Sequence, residues 1–289
     1  MEFQSRRSSS TMMMGALSTL SPHQFSTLSQ VLGSTFHLHR RRRLALLLSP
    51  ALFSLSLRHL RSLSLHHKSL LIARFHLSTL KHLTLNWDVH VHSGGSAGLL
   101  RLRDVDSALL LLLLSEFRHH HPLPLQGLST SKCRGLLLDY VLGRHMFAVS
   151  ALGLSTSTTC GVVSSYIHHT ARFLDVIGCS DIAIGKTGRE VATSVATVVS
   201  LPSIKVPARH TDDDNLFECV ICKEEMREGR EVCKLPCEHL FHWGCVLPWL
   251  KKRNTCPYCR FRLPTDDVFG EIERLWGLLV NKSRMSNCQ

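Results

Sequence analysis

The sequence predicts a mostly α-helical amino-terminal region, a small α+β module rich in cysteine and histidine, and a helix at the carboxyl end. Two features predict the helices: serine–proline pairs where helices would start, and apolar residues that recur every three or four positions. A third feature predicts the module, since eight cysteines and histidines lie within residues 219–259. A length of 289 residues suits one or two domains.

Residues 1–100 form a basic region rich in Ser, Leu, Arg and His. They hold eleven Lys and Arg against two acidic residues, which gives +9 of the net charge of +12. Such an excess predicts a polyanionic partner, either an anionic lipid surface or nucleic acid. We expect peripheral contact with a membrane rather than binding to nucleic acid.

Helix-forming patterns recur within this basic region. Ser21-Pro22 predicts one capped start and Ser49-Pro50 a second, and a third helix covers about residues 68–83. The apolar face of the first helix comprises Phe25, Leu28, Val31, Leu32 and Phe36. That of the second comprises Phe53, Leu57 and Leu60.

These amphipathic basic helices allow three interpretations. They could lie on an anionic membrane surface, where each nearby Lys or Arg contributes ~1 kcal/mol. They could instead pack their apolar faces into a core of their own. The Ser- and Arg-rich, acid-poor composition is also typical of a removable transit peptide.

Residues 101–205 are predicted to form a helical domain. Its helix over 101–117 carries an apolar run at 109–114, far shorter than the ~18 to 20 residues that a membrane span requires. We therefore expect a core helix. Residues 190–201 are rich in Val, Ala, Ser and Thr and fit either helix or strand. Residues 206–217 contain three consecutive aspartates and are predicted to be an acidic linker.

The cysteines and histidines of the module have the spacing of metal ligands. They are Cys219, Cys222, Cys237, His239, His242, Cys245, Cys256 and Cys259. Thiolate and neutral imidazole suit zinc, and eight ligands fill two closed tetrahedral sites, which are structural rather than catalytic. Disulfides are the alternative, but eleven cysteines without a secretory signal peptide favour a reducing compartment and metal.

The order of these ligands, three cysteines, two histidines and three cysteines, resembles the two-histidine RING finger of E3 ubiquitin ligases. The resemblance implies a cross-brace of two zinc sites in a RING finger over residues 218–263. One implied site comprises Cys219, Cys222, His242 and Cys245. The other comprises Cys237, His239, Cys256 and Cys259.

Four further residues match positions that RING ligases use. The resemblance implies that Ile221, Trp249 and Pro257 form the groove for a ubiquitin-conjugating enzyme. It also implies that Arg260 is the linchpin that contacts both that enzyme and ubiquitin. Packing inside the knuckles is the alternative for Ile221 and Pro257, and core burial is the alternative for Trp249.

The implied function is that of an E3 ligase without a nucleophile. It would hold a ubiquitin-loaded conjugating enzyme so that ubiquitin passes to a substrate lysine, which is catalysis by positioning. The alternative is a non-catalytic zinc-finger adaptor that binds membrane or nucleic acid through its basic helices.

A longer resemblance concerns location. The segments CVICKEEM at 219–226, WLKKRNTCP at 249–257, RFRLPTDDVFGEIERLW from 260 and RLRDVDSALLLLLL from 101 resemble plant RING ligases that act at amyloplasts in shoot gravitropism. Ubiquitin and its conjugating enzymes act in the cytosol. The resemblance therefore implies the cytosolic face of the plastid surface, with a cytoplasmic location as the alternative.

Residues 264–282 predict an amphipathic helix, followed by a tail at 283–289. Thr265 is the expected cap, with two aspartates in the first turn. The predicted apolar face comprises Val268, Ile272, Leu275 and Leu279. This face either packs within the protein, which we favour, or binds a partner.

Overall fold

We describe the fold from a computed structural model. The structure describes residues 11–85, 100–121, 127–152, 190–206 and 218–286. Residues 207–217 of the predicted acidic linker and residues 153–189 of the predicted helical domain lie outside these residues. The chain divides into two compact units. The first comprises Met1–Asn86, Gly98–Ser180 and Leu279–Gln289, and the second comprises Trp87–Ala97 and Asp181–Leu278.

The first unit is helical. A short helix α1 covers residues 11–17. The longer helices are α2 (Pro22–Leu48), α3 (Pro50–Ser62), α4 (Leu65–Thr84), α5 (Leu102–His120) and α6 (Thr130–Leu152). No helix in the described part of the chain is long and apolar enough to cross a membrane.

Serine side chains start three of these helices. The hydroxyls of Ser21, Ser49 and Ser64 each accept a hydrogen bond from the backbone N–H three residues further on. Such a cap satisfies one of the N–H groups that the first turn leaves without a partner. The predicted starts at Ser21-Pro22 and Ser49-Pro50 are confirmed. The third helix begins at residue 65, earlier than predicted, because Ser64 caps it.

One core joins the helices on both sides of residue 100. Its buried residues include Leu46, Phe53, Leu57, Leu60, Ile72, Phe75, Leu110, Leu113, Phe117 and Leu137. The predicted apolar face of α3 is therefore buried. The Arg42 guanidinium also joins α2 to α5, because it donates two hydrogen bonds of 2.9 Å to the Asp106 carboxylate.

The second unit contains a three-stranded antiparallel sheet in the order β1 (Ser203–Lys205), β2 (Glu231–Lys234), β3 (Leu240–Phe241). Helix α7 (Val195–Ser200) precedes the sheet and helix α8 (Trp243–Leu250) follows it. Their shared core includes Leu201, Val206, Val232, Leu235, Phe241, Val246, Leu250 and Leu263. The segment before residue 218 therefore contributes both a strand and core side chains to this unit.

The last helix, α9, covers Val268–Ser286 rather than the predicted 264–282. Thr265 was the predicted cap, and this prediction is wrong. The Asp267 carboxylate instead accepts from the Gly270 N–H at 2.8 Å, while the Thr265 hydroxyl donates to the Ala192 carbonyl at 2.7 Å. The Thr265 oxygen also accepts from the Asp267 N–H at 3.2 Å. These bonds hold Thr265 ahead of the helix, so that Asp267 occupies the N-cap position. On the predicted face, Ile272, Leu275 and Leu279 are buried.

Replacing the observed cap should destabilise α9. We expect Asp267→Ala to lower the free energy of unfolding by about 0.5–2 kcal/mol, because the Gly270 N–H loses its acceptor. Asp267→Ser should restore most of this loss. Denaturant unfolding would measure both, with the exposed neighbour Asp266→Ala as the matched control. Equal effects at the two positions would contradict the assigned cap.

Candidate metal centre

Backbone turns orient each pair of neighbouring ligands. Among described non-glycine residues, positive φ angles occur at Lys223 (62°), Glu238 (67°) and Arg260 (60°). Each directly follows a predicted ligand cysteine. Such a conformation costs of order 1–3 kcal/mol for a residue with a side chain, so it persists only where surrounding interactions impose it. The three strained turns therefore mark the places where the chain bends around a ligand.

The sheet and α8 place the central ligands. In the turn between β2 and β3, Leu235 N–H donates to the His239 carbonyl at 3.0 Å, and this turn carries Cys237. Strand β3 then leads to His242, which is the N-cap residue of α8. Cys245 lies one helical turn further on, and residues three apart on a helix share a face. His242 and Cys245 therefore reach the same point.

The structure gathers the eight predicted ligands into two groups whose ligand atoms all lie within 4.8 Å of one another. One group is Cys219, Cys222, His242 and Cys245. The other is Cys237, His239, Cys256 and Cys259. Each group draws on two separate parts of the sequence, and the two alternate along the chain. This arrangement is the cross-brace that the resemblance implied.

The distances within the groups fit zinc. Cys222 Sγ lies 3.4 Å from His242 Nδ1, and Cys237 Sγ lies 3.4 Å from His239 Nδ1. Ordinary Zn–S and Zn–N bonds at a tetrahedral angle give an S···N distance of about 3.6 Å. Each group thus offers three sulfurs and one imidazole nitrogen, the donor set of a structural zinc site. The side chains fit two zinc ions.

The electrostatics of the two groups also require a cation. Burial, with a contribution from the neighbouring Cys256, raises the pKa of the Cys237 thiol to about 12. Burial and the nearby Cys219 and Cys222 likewise raise the pKa of Cys245 to about 12. Burial opposes ionisation of Cys219 too, but hydrogen bonds from nearby backbone N–H groups, that of His242 foremost, lower its pKa to about 7. Three sulfurs this close ionise together only around a positive charge.

The predicted partner-binding residues surround these groups. Ile221 lies inside the first knuckle and is 36% exposed, and Pro257 lies half-buried inside the last. Trp249 lies near the end of α8, half-buried against the core of the unit. Arg260 follows the last ligand and is exposed. Ile221 and Trp249 thus both keep apolar surface outside the core.

A part of the site that sequence analysis missed is the segment 190–206. Its strand β1 pairs with β2, with Ser203 opposite Cys233. Its Leu201 and Val206 are buried in the core around the ligands. The alternation of apolar and polar residues from Ser203 to Val206 was the signal for this strand, but it is too short to stand out.

The fold and the two ligand groups define a RING finger, a module with two structural zinc sites. Comparison with protein families matches residues 217–260 to the Ring finger domain. The E3 ubiquitin-protein ligase SGR9, amyloplastic, of Arabidopsis thaliana is 43% identical over 281 residues, which cover 95% of this chain and 97% of that protein. The chain belongs to the RING-type E3 ubiquitin ligases.

Shorter similarities cover only part of the chain. The E3 ubiquitin-protein ligase RNF181 of Xenopus laevis is 49% identical over 73 residues, 25% of this chain and 46% of that protein. RNF181 of Danio rerio is 46% identical over 73 residues, with the same coverage of 25% and 46%. No solved structure matches. Membership of the ligase family disfavours the alternative of a non-catalytic adaptor.

Loss of one ligand should release metal and unfold the RING finger. We expect two zinc ions per chain in the native protein and fewer in His242→Ala and Cys237→Ala. Structural zinc contributes roughly 10 to 16 kcal/mol in comparable small modules, so both variants should also lose ligase activity. Metal analysis by mass spectrometry, with the exposed His23→Ala as control, tests this. A native content of one zinc ion or none would contradict it.

Proposed function

We propose that this E3 ligase binds a ubiquitin-loaded conjugating enzyme through Ile221, Trp249 and Pro257. The observation that carries the proposal is that Ile221 is exposed and Trp249 only half-buried, so both keep apolar surface outside a core that buries Val232, Leu235, Phe241, Val246 and Leu250. Partly exposed apolar anchors of this kind are typical of binding surfaces, and tryptophan is enriched among their energetic hot spots.

Arg260 is proposed to act on the loaded form. Its backbone is fixed, because its N–H donates to the Cys256 carbonyl at 3.0 Å and its φ is 60°. Its side chain is exposed. A planar guanidinium offers five donors in a rigid fork, which suits simultaneous contact with conjugating enzyme and ubiquitin. Holding ubiquitin in one reactive orientation would speed its transfer to lysine without any nucleophile from this chain.

The proposed location is the cytosolic face of the plastid surface, with a role in gravitropism. The Arabidopsis relative's name places that protein at the amyloplast, and the ubiquitin system acts in the cytosol. We propose that the helical first unit provides attachment and substrate binding for the RING finger at 218–263.

One helix face suits peripheral attachment to a membrane. Leu52 and Leu55 of α3 are exposed at positions three residues apart. Arg58 continues the same face and is exposed. Leucines beside a basic residue combine apolar insertion with attraction to anionic headgroups. These three residues form the proposed membrane face.

Binding and transfer should respond to different residues. Ile221→Ala and Trp249→Ala should weaken binding of the unloaded conjugating enzyme, with a cost of ~2 to 4 kcal/mol for an anchoring aromatic, or roughly 30- to 1000-fold. Arg260→Ala should leave that binding nearly unchanged and slow discharge of ubiquitin to lysine. Arg260→Lys should restore part of the rate, since charge returns without the planar fork.

Single-turnover discharge of a pre-loaded conjugating enzyme measures these effects alongside binding of the unloaded form. The exposed Arg227→Ala is the matched arginine control. Unchanged discharge in Arg260→Ala would exclude the linchpin role.

Protease treatment of intact plastids should test the location. A RING finger on the outer surface should be digested, whereas a protected, shortened chain would show import.

Leu52→Asp combined with Leu55→Asp should move the protein to the soluble fraction, because charge replaces the apolar part of the membrane face. The control pair, Ser26→Asp with Gln30→Asp, places the same charges on exposed positions of α2.

A further inference from the structure

We propose that Thr193, which precedes the RING finger in sequence, is a positioning residue that holds Trp249 in the orientation required for docking of the conjugating enzyme. This inference rests on the proposed function, because it takes Trp249 as the docking residue. It assigns to the segment 190–194 a part in the reaction, although the segment carries no metal ligand and lies outside the matched domain at 217–260.

Thr193 binds the carboxyl end of the helix that carries Trp249. Its backbone N–H donates to the Leu250 carbonyl at 2.9 Å, and its hydroxyl donates to the Arg253 carbonyl at 3.1 Å. The last carbonyls of a helix accept no hydrogen bond from within the helix, so an outside donor fixes them. Thr193 is only 6% exposed, so water does not readily replace these bonds.

Thr193 contacts Arg253, and residues 253–255 in turn contact the Trp249 ring. Arg253 N–H donates to the Trp249 carbonyl at 2.8 Å, and the Arg253 guanidinium carbon lies 4.8 Å from the centre of the indole. The indole N–H donates to the Thr255 carbonyl at 2.7 Å. Movement of residues 253–255 therefore changes the cation–π contact and the hydrogen bond together.

The segment is itself anchored at points independent of Trp249. Ser194 N–H donates to the Pro264 carbonyl at 2.9 Å, and the Thr265 hydroxyl donates to the Ala192 carbonyl at 2.7 Å. Further along, β1 pairs with β2. Thr193 thus connects the end of α8 to a fixed part of the fold. Preorganisation of this kind lowers the ordering cost when a partner binds.

Glu190 makes a second, weaker connection through its ion pair with Arg253. Both side chains are about half exposed. Exposed ion pairs contribute little to stability, whereas a buried polar group that loses its partner is costly. The structure therefore ranks Thr193 above Glu190 as the positioning residue.

Binding of the unloaded conjugating enzyme to the full-length protein tests this ranking. Thr193→Val keeps the shape of the side chain and the backbone N–H but removes the hydroxyl donor. We expect it to weaken binding by about three- to tenfold. Glu190→Gln should have a smaller effect that disappears at high salt. The control Ser200→Ala removes a hydroxyl further along residues 190–206. That hydroxyl donates to the Thr197 carbonyl within α7, so its loss should not change binding.

A double-mutant cycle separates positioning from general destabilisation. If Thr193 acts through Trp249, Thr193→Val should cause no further loss in a Trp249→Ala background. Zinc content should remain at two ions throughout. In nuclear magnetic resonance spectra, Thr193→Val should shift the Trp249 indole N–H signal. The Trp243 indole signal should stay in place, since that group donates to Ser203.

Equal losses from Thr193→Val in both backgrounds would overturn the inference, as would unchanged binding in Thr193→Val alone. These outcomes would leave the docking role of Trp249 intact. Should Trp249→Ala itself leave binding unchanged, the docking face is misassigned and the inference fails with it.

Discussion

Zinc ligation is the constraint on which the RING finger depends. Two groups of three sulfurs and one imidazole, each within 4.8 Å, bring together groups that repel once ionised. The same groups force Lys223, Glu238 and Arg260 into positive φ. A module of this size buries too little apolar surface to offset both costs. Metal binding offsets them, and the small apolar core then becomes sufficient.

Zinc ligation and core packing together position the proposed docking face. The knuckles that bind metal carry Ile221 and Pro257, so those residues are positioned by coordination. Trp249 belongs to α8, whose Val246 and Leu250 are buried in the core. The proposed docking face therefore depends on both ligation and core packing. A ligase without a nucleophile acts through such rigidity, because its contribution is the orientation of another enzyme's thioester.

In the first unit, packing into a helical core and contact with a membrane surface are compatible interpretations of the basic helices. The face of α3 with Phe53, Leu57 and Leu60 is buried, as a helical core requires. Leu52 and Leu55 lie on the other side of the same helix and are exposed. The apolar surface of α3 is therefore wider than the face that packs into the core of the first unit. A helix of this kind can pack in a protein and still offer leucines to a lipid surface.

The sequence by itself determined the ligands, their order and the Ser-Pro helix starts. Each depends on residue chemistry over a few positions: thiolate and imidazole for zinc, and a hydroxyl three residues before an N–H for a cap. Only the tertiary structure decided the role of residues 190–206 and the start of α9. Thr265 has the chemistry of a cap, but its hydroxyl donates to the distant Ala192 carbonyl and accepts from the Asp267 N–H. Thr265 is thus held before the helix, and Asp267 caps instead. Where this helix starts cannot be read from local sequence alone, because it depends on which distant groups folding brings within hydrogen-bond distance of the candidate caps.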